Sequence, residues 1–326
     1  MENMSLAFME KGCFDNCSGS LVSLSLRNNK LTYIGNNTVG VLASLAYLDV
    51  SFNQLCSVEA YEFYSLYSNL RELRLNGNQL KSLDQEVFSL TTSLTRLNIS
   101  DNRIETFPKK LFYHLPFLEH LDFSRNSLIS IHSYSFRVQM RLESLSLSGN
   151  KLSMIQEDAF YGLKELKKLD LDDNRITEIE TLNGMQHLTA LKICRNKIVS
   201  LTERMFDQLA NLKGLFLSGN MLQNIHPNTF ASLRNLRDLD LSRNKFTRFE
   251  SEAFSNFTHL NTLNLDHNGI TSIHPDTFAF TRGGSLTLHG NQLKCSCRFI
   301  RTVRDFPFAW VMTDCWRSES ILHQRR

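Results

Sequence analysis

The sequence predicts an α/β repeat fold: a curved solenoid of about twelve units, with parallel strands lining its concave face. Three observations carry that expectation. The stretch Leu142–Leu166, LESLSLSGNKLSMIQEDAFYGLKEL, recurs with a spacing of 24 residues almost throughout, 25 after Leu45 and 22 after Leu166. An asparagine closes each strand segment at position nine: Asn29, Asn53, Asn78, Asn102, Asn126, Asn150, Asn174, Asn196, Asn220, Asn244, Asn268 and Asn291. A phenylalanine holds position nineteen at Phe63, Phe88, Phe112, Phe136, Phe160, Phe206, Phe230, Phe254 and Phe278.

Each element follows from side-chain direction. Leucines at positions one, four and six read as a short half-buried strand, so positions four and six point inward and three and five outward. Twelve such strands, about 4.8 Å apart, make a face roughly 50 Å long. The asparagine follows where the chain turns and its backbone groups leave the sheet ladder; one side-chain amide satisfies both donors and acceptors there. The phenylalanines share a register, so they should stack as an inner column. That column holds the outer side wider than the strand side, and the stack bends. Residues 1–20 read as lying outside the repeat, 21–293 as the repeats, and 294–326 abandon the pattern. Gly283 stands where the twelfth unit should begin with leucine.

Composition bounds the rest. A 326-residue chain suggests about two globular domains, but a solenoid grows along one axis and each unit buries its apolar side only against its neighbours. A formal charge of +3 gives no argument for nucleic acid, and nucleic acid is not expected as a partner. No apolar run reaches transmembrane length. The start, MENMSLAFMEKG, is not a secretory signal peptide, so the chain is either cytosolic or a piece of a secreted one.

These residues resemble the leucine-rich repeat family. The 24-residue form with AFxxLxxL, at Ala159-Phe160 to Leu166 and Ala253-Phe254 to Leu260, is similar to its extracellular class, the class of Slit, Toll-type receptors, leucine-rich/immunoglobulin receptors and lamprey antigen receptors. The IHPxTF segments at Ile225–Phe230 and Ile273–Phe278 are written in the same style. Asn291-Gln-Leu-Lys-Cys295-Ser-Cys297, with Trp310 and Cys315, resembles the cysteine-rich cap that closes such solenoids. In that cap the first cysteine pairs with the third and the second with the fourth. The resemblance therefore implies a Cys295–Cys315 disulfide and leaves Cys297 without its fourth cysteine. Cys13-x3-Cys17 is a fragment of the family's N-terminal cap, and its pairing stays open.

Cys56 and Cys194 have no partner in register and read as free thiols. No metal site is expected: Cys295-x-Cys297 lacks a second ligand pair, and His132, His226 and His274, all at position fifteen, are too far apart to share an ion. No HExxH, GxSxG or phosphate-binding loop appears. His120, Asp122, Ser144 and Ser146 come near one another on the strand face, a grouping that polar strands produce by chance. No cofactor and no catalysis are expected.

Sequons occur at Asn3, Asn16, Asn36, Asn98 and Asn256, and five lean towards secretion. Asn36 and Asn256 fall on loop halves of their repeats, and Asn98 points from the strand face. Ligand contact is expected around Phe216, an outward aromatic on an otherwise polar strand, with Lys192, Asp238, Asp240 and Asn264 around it. The expectation is a non-catalytic extracellular module that binds a protein or a glycan. The alternative is a cytoplasmic scaffold on the same repeats, supported locally by the 22-residue repeat seven.

Overall fold

A computed structural model describes residues 1–17, 19–34, 39, 42–63, 66, 69–179, 182, 184–249, 253–254, 257–273, 277, 284–293 and 310–312. The chain divides into two compact units, Met1–Asp170 and Leu171–Arg326. In the first, seven three-residue strands pair in parallel in chain order: Ser23–Ser25, Tyr47–Asp49, Glu72–Arg74, Arg96–Asn98, His120–Asp122, Ser144–Ser146 and Lys168–Asp170. In the second, Ala190–Lys192, Gly214–Phe216, Asp238–Asp240, Thr262–Asn264 and Ser285–Thr287 do the same, and Trp310–Met312 extends the row. The central residue of each repeat strand is a buried leucine and its flanking residues face outward, as period two requires.

The return halves differ from the expected α/β pattern. Among the described residues they contain no α-helix, only turns, the 3-10 turns Asp15–Cys17 and Ala60–Phe63, and a two-stranded pairing of Ser130–Ile131 with Met154–Ile155. A half-repeat of about fifteen residues must cross the core and return, so it spends its length on two direction changes. That leaves too few residues for the hydrogen-bonded turns an α-helix needs.

The asparagine ladder is built as its chemistry demands. Asn150 is typical: its Oδ1 accepts the Leu128 N–H at 3.0 Å, and its Nδ2 donates to the Phe123 and Leu147 carbonyls at 3.1 and 3.0 Å. The same three bonds recur at Asn220 in the second unit, to Ile198, Ile193 and Leu217. Each amide thus joins two repeats. The phenylalanines stack within each unit. Phe112, Phe136 and Phe160 have centroids 5.7 and 6.3 Å apart. Phe206 and Phe230 are 6.0 Å apart, and Phe257 enters between Phe230 and Phe254 at 5.5 and 6.2 Å. Phe278 lies outside the described residues.

Position eight, just before each ladder asparagine, has positive φ in all twelve repeats, between +50° and +72°. Eight of the twelve are not glycine. A left-handed residue costs about 1–2 kcal/mol; here it turns the chain so that position eight donates its N–H to the next repeat's position-seven carbonyl, as Phe52 does to Asn76 at 2.8 Å and Arg195 to Ser218 at 2.7 Å. The glycines come every third repeat, at Gly77, Gly149, Gly219 and Gly290. They lie under the preceding side chain: a Cβ on Gly77 would meet the Phe52 ring at 2.7 Å, and one on Gly219 the Arg195 stem at 3.2 Å.

Within residues 1–20, read from the sequence as lying outside the repeat, several described residues bond in the repeat's register. Asn29 accepts the Leu6 N–H at 3.0 Å and donates to the Met1 carbonyl at 2.8 Å, the bonds that a preceding repeat's positions eleven and six supply elsewhere. Asn3 then falls at position eight and has φ +58°. Phe14 falls at position nineteen and is buried, and Cys13 and Cys17 take the places of the alanine and leucine in AFxxL. The cysteine spacing is the repeat's own.

Candidate ligand-binding face

On the second unit the outward residues form two rows. Position five runs Lys192, Phe216, Asp240, Asn264 and Thr287, each paired in register with the next. Position three runs Ala190, Gly214, Asp238, Thr262 and Ser285. The strand pairing therefore brings all five candidate contact residues onto one patch.

Their commitments differ. The Phe216 ring lies back along its own strand over Gly214, where an added Cβ would meet ring carbons at 2.9 and 3.2 Å. The glycine is what lets the ring lie there. Phe216 is consequently half-buried, with one edge fixed by the backbone. Asp240 accepts the Ser242 N–H at 2.9 Å, and Asn264 accepts the Asp266 N–H at 3.0 Å and the Thr287 hydroxyl at 2.9 Å. Asp238 accepts the Thr262 hydroxyl at 2.6 Å. The same Asx turn is made by Asp49, Asn98 and Asp122 in the first unit. Asp or Asn at position five closes its own strand, a role that charge alone does not reveal. Phe216 stands in one of the slots that lacks such a turn.

The first unit's face is organised by ion pairing. Arg74 meets Glu72 at 2.7 Å and Asp49 at 4.0 Å, and its guanidinium lies 5.4 Å from the Tyr47 ring centroid. Arg96 approaches Glu72 at 3.9 Å. Beside them His120, Asp122, Ser144 and Ser146 border a depression of about 300 Å³. Burial, reinforced by the Asp49 carboxylate, holds the Tyr47 phenol above its ordinary range.

Among the sequons, Asn3 and Asn16 are exposed. Asn98 is half-buried in its strand, and its Oδ1 accepts both the N–H and the hydroxyl of Ser100 at 2.9 and 2.8 Å. Asn36 and Asn256 lie outside the described residues, as do His274, Cys295, Cys297 and Cys315. Cys13, Cys17, Cys56 and Cys194 are free thiols. Burial, and then the neighbouring Asp172 carboxylate, pushes Cys194 up to about 12. Among the described residues no helix is long and apolar enough to cross a membrane, and no three His, Cys, Asp or Glu side chains are grouped to hold a metal.

The BspA type leucine rich repeat region model matches residues 3–66 and 56–183, more than half of the chain. The leucine rich repeat model matches residues 186–246 and 234–293. No curated protein matches. Among solved structures, the TLR13–ssRNA13 complex is 26% identical with a TM-score of 0.77, over 95% of this chain and 53% of that one. The leucine-rich repeat domain of APL1B is 22% identical with a TM-score of 0.75, over 96% and 87%. The Drosophila Toll–Spatzle complex is 20% identical with a TM-score of 0.73, over 94% and 53%. The chain thus spans about half the length of the TLR13 chain. That match corrects one expectation. Nucleic acid was set aside on the chain's small net charge, yet a protein of this fold is solved with single-stranded RNA. Overall charge says nothing about local patches, so the exclusion does not stand.

Proposed function

Because this chain belongs to the leucine-rich repeat family, we propose that it is a non-catalytic recognition module of the extracellular, receptor-like class. It binds a macromolecular ligand on its strand face, concave in each unit because the phenylalanine column holds the other side wider. In this reading residues 294–326 form the cysteine-rich cap, closed by a Cys295–Cys315 disulfide. Asn36 and Asn256 carry glycans, and Asn98 is an acceptor only before its Asx turn forms.

The anchor is Phe216. Lys192 flanks it, and Asp238, Asp240 and Asn264 set the shape of the rim around it through their turns and hydroxyl contacts. The observation that carries the reading is the Gly214–Phe216 pair: an aromatic on a polar face, with its ring already laid in one orientation. Full burial of such a ring contributes about 1.5–3 kcal/mol, more than the roughly 0–1 kcal/mol of an exposed charge pair. Pre-set orientation also reduces the ordering cost of binding.

The test is a binding screen of the soluble chain against arrayed secreted and cell-surface proteins. For the ligand recovered, Phe216→Ala should weaken binding at least tenfold, while Tyr47→Ala, in the first unit, leaves it within twofold. The reverse ranking moves the site to the first unit and ends the proposal.

A further inference from the structure

Position nine points into the core, so positions eight and ten on either side of it turn outward along one rim of each unit. In the second unit cations outnumber the acids on that rim, which are Glu178 at position thirteen of repeat seven and Asp173, paired with Arg195. Arg175, Lys197 and Lys245 occupy position ten of repeats seven, eight and ten, with Arg243 at position eight and Arg248 at position thirteen of repeat ten. All five are exposed. The backbone beneath them is pinned: Lys197 donates its N–H to Ile176 and Lys245 to Leu222, each at 2.8 Å. With repeats about 4.8 Å apart, the track from repeat seven to repeat ten runs about 14 Å.

Among the described residues these cations meet no carboxylate. Arg195, on the same rim, pairs with Asp173 and reaches Asp172 at 3.7 Å. Like charges held on a pinned backbone, in a track interrupted by Met221 at repeat nine, favour an extended polyanionic partner. Two kinds of linear polyanion have that form, and the rim discriminates between them. Single-stranded nucleic acid binds through aromatic platforms on which bases stack as well as through charge. Here the rim's aromatics are engaged inward: Phe246 is fully buried, and Phe249 packs against Phe246 and Phe254 at 5.0 and 5.1 Å. A chain of sulfated sugars needs only the charges.

We propose that the turn rim of the second unit, through Arg175, Lys197, Arg243, Lys245 and Arg248, binds a linear sulfated polysaccharide. This surface is separate from the strand face, so the proposal stands whether or not Phe216 anchors a ligand.

The experiment titrates a fluorescent heparin hexasaccharide into the purified full chain at several salt concentrations. A desulfated hexasaccharide and a single-stranded RNA 13-mer are run in parallel. Sulfated binding should weaken log-linearly with salt, and the desulfated probe should bind at least tenfold more weakly. The triple variant Lys197→Gln/Arg243→Gln/Lys245→Gln should lose at least tenfold in affinity and show a shallower salt slope. The first-unit variant Lys30→Gln/Arg103→Gln should stay within twofold. Matched thermal melts establish that all three proteins are folded. Equal binding of the desulfated probe, tighter binding of the RNA, an unaffected triple variant, or an equal loss in the first-unit variant would each overturn the proposal.

Discussion

The two units are written in one template, yet their strand faces are finished differently. On the first, outward charges are spent on one another: Arg74 on Glu72 and Asp49, Arg96 towards Glu72. On the second, an aromatic lies over a glycine, beside a threonine hydroxyl bonded to Asp238; the position-five turns themselves occur in both units. The lesson is that a repeat separates structure from recognition by position. The inward leucines, the asparagine and the left-handed residue before it are the same in both units. Positions three and five are where the units differ: the first pairs its charges, and the second leaves an apolar ring outward.

The largest effect tests the shared part. Asn150→Ala removes the partners of Leu128 N–H and of the Phe123 and Leu147 carbonyls. At about 1–3 kcal/mol for a buried polar group left unpaired, the loss should reach about 3 kcal/mol. In a linear stack it should stay local. Hydrogen exchange should accelerate around residues 123–152 in the first unit, while Asn220→Ala should do the same around 193–222 in the second. Unchanged exchange at either place would show that the ladder is not what holds the repeats.

A middle-sized effect sharpens the difference between the faces. Gly214→Ala places a methyl where the Phe216 ring lies, so the ring must swing outward. Ligand affinity should fall about tenfold, equivalent to about 1.4 kcal/mol, with thermal stability changed by less than about 1 kcal/mol. Calorimetry and melting on one preparation measure both. A large stability loss with intact binding would make the ring a packing element.

Much of this was legible in the residues. Period two placed every outward side chain, and the asparagines announced a buried turn that needs a donor and an acceptor together. Other features were hidden. Aspartate at position five reads as surface charge because nothing in the letter says that its oxygen turns back to Ser242 or Ser124. Phe14, between Cys13 and Cys17, stands at position nineteen, a register that the cysteines beside it make easy to pass over. The left-handed turn at position eight did leave a signal: glycine every third repeat, alternating with the Arg125 and Arg195 that cover it. It is easily passed over, because Phe52 and His267 hold the same conformation without being glycine.

The smallest effect concerns that rim, where both units carry the same device. Hydrogen bonding to Arg125 holds Asp101 below its ordinary 3.8, and Arg195 does the same for Asp173. A depressed carboxylate contributes stability above its unfolded pKa and loses it as pH falls through the folded value, so the contribution is present above about pH 4. These pairs are solvent-exposed, with Arg125 at 65% and Arg195 at 59%, and each is worth about 0–1 kcal/mol. Asp101→Asn should lower the melting temperature slightly at pH 7 and by progressively less as pH falls through the acid range. A loss that stays undiminished as the pH is lowered would assign Asp101 a role other than pairing.

The most direct test of the difference between the faces is hydroxyl-radical footprinting of the whole chain, alone and saturated with the ligand recovered by screening. Phe216 should become protected several-fold while Tyr47 reacts as in the free chain. Protection of Tyr47 with Phe216 unchanged would place recognition on the ion-paired face and contradict the account.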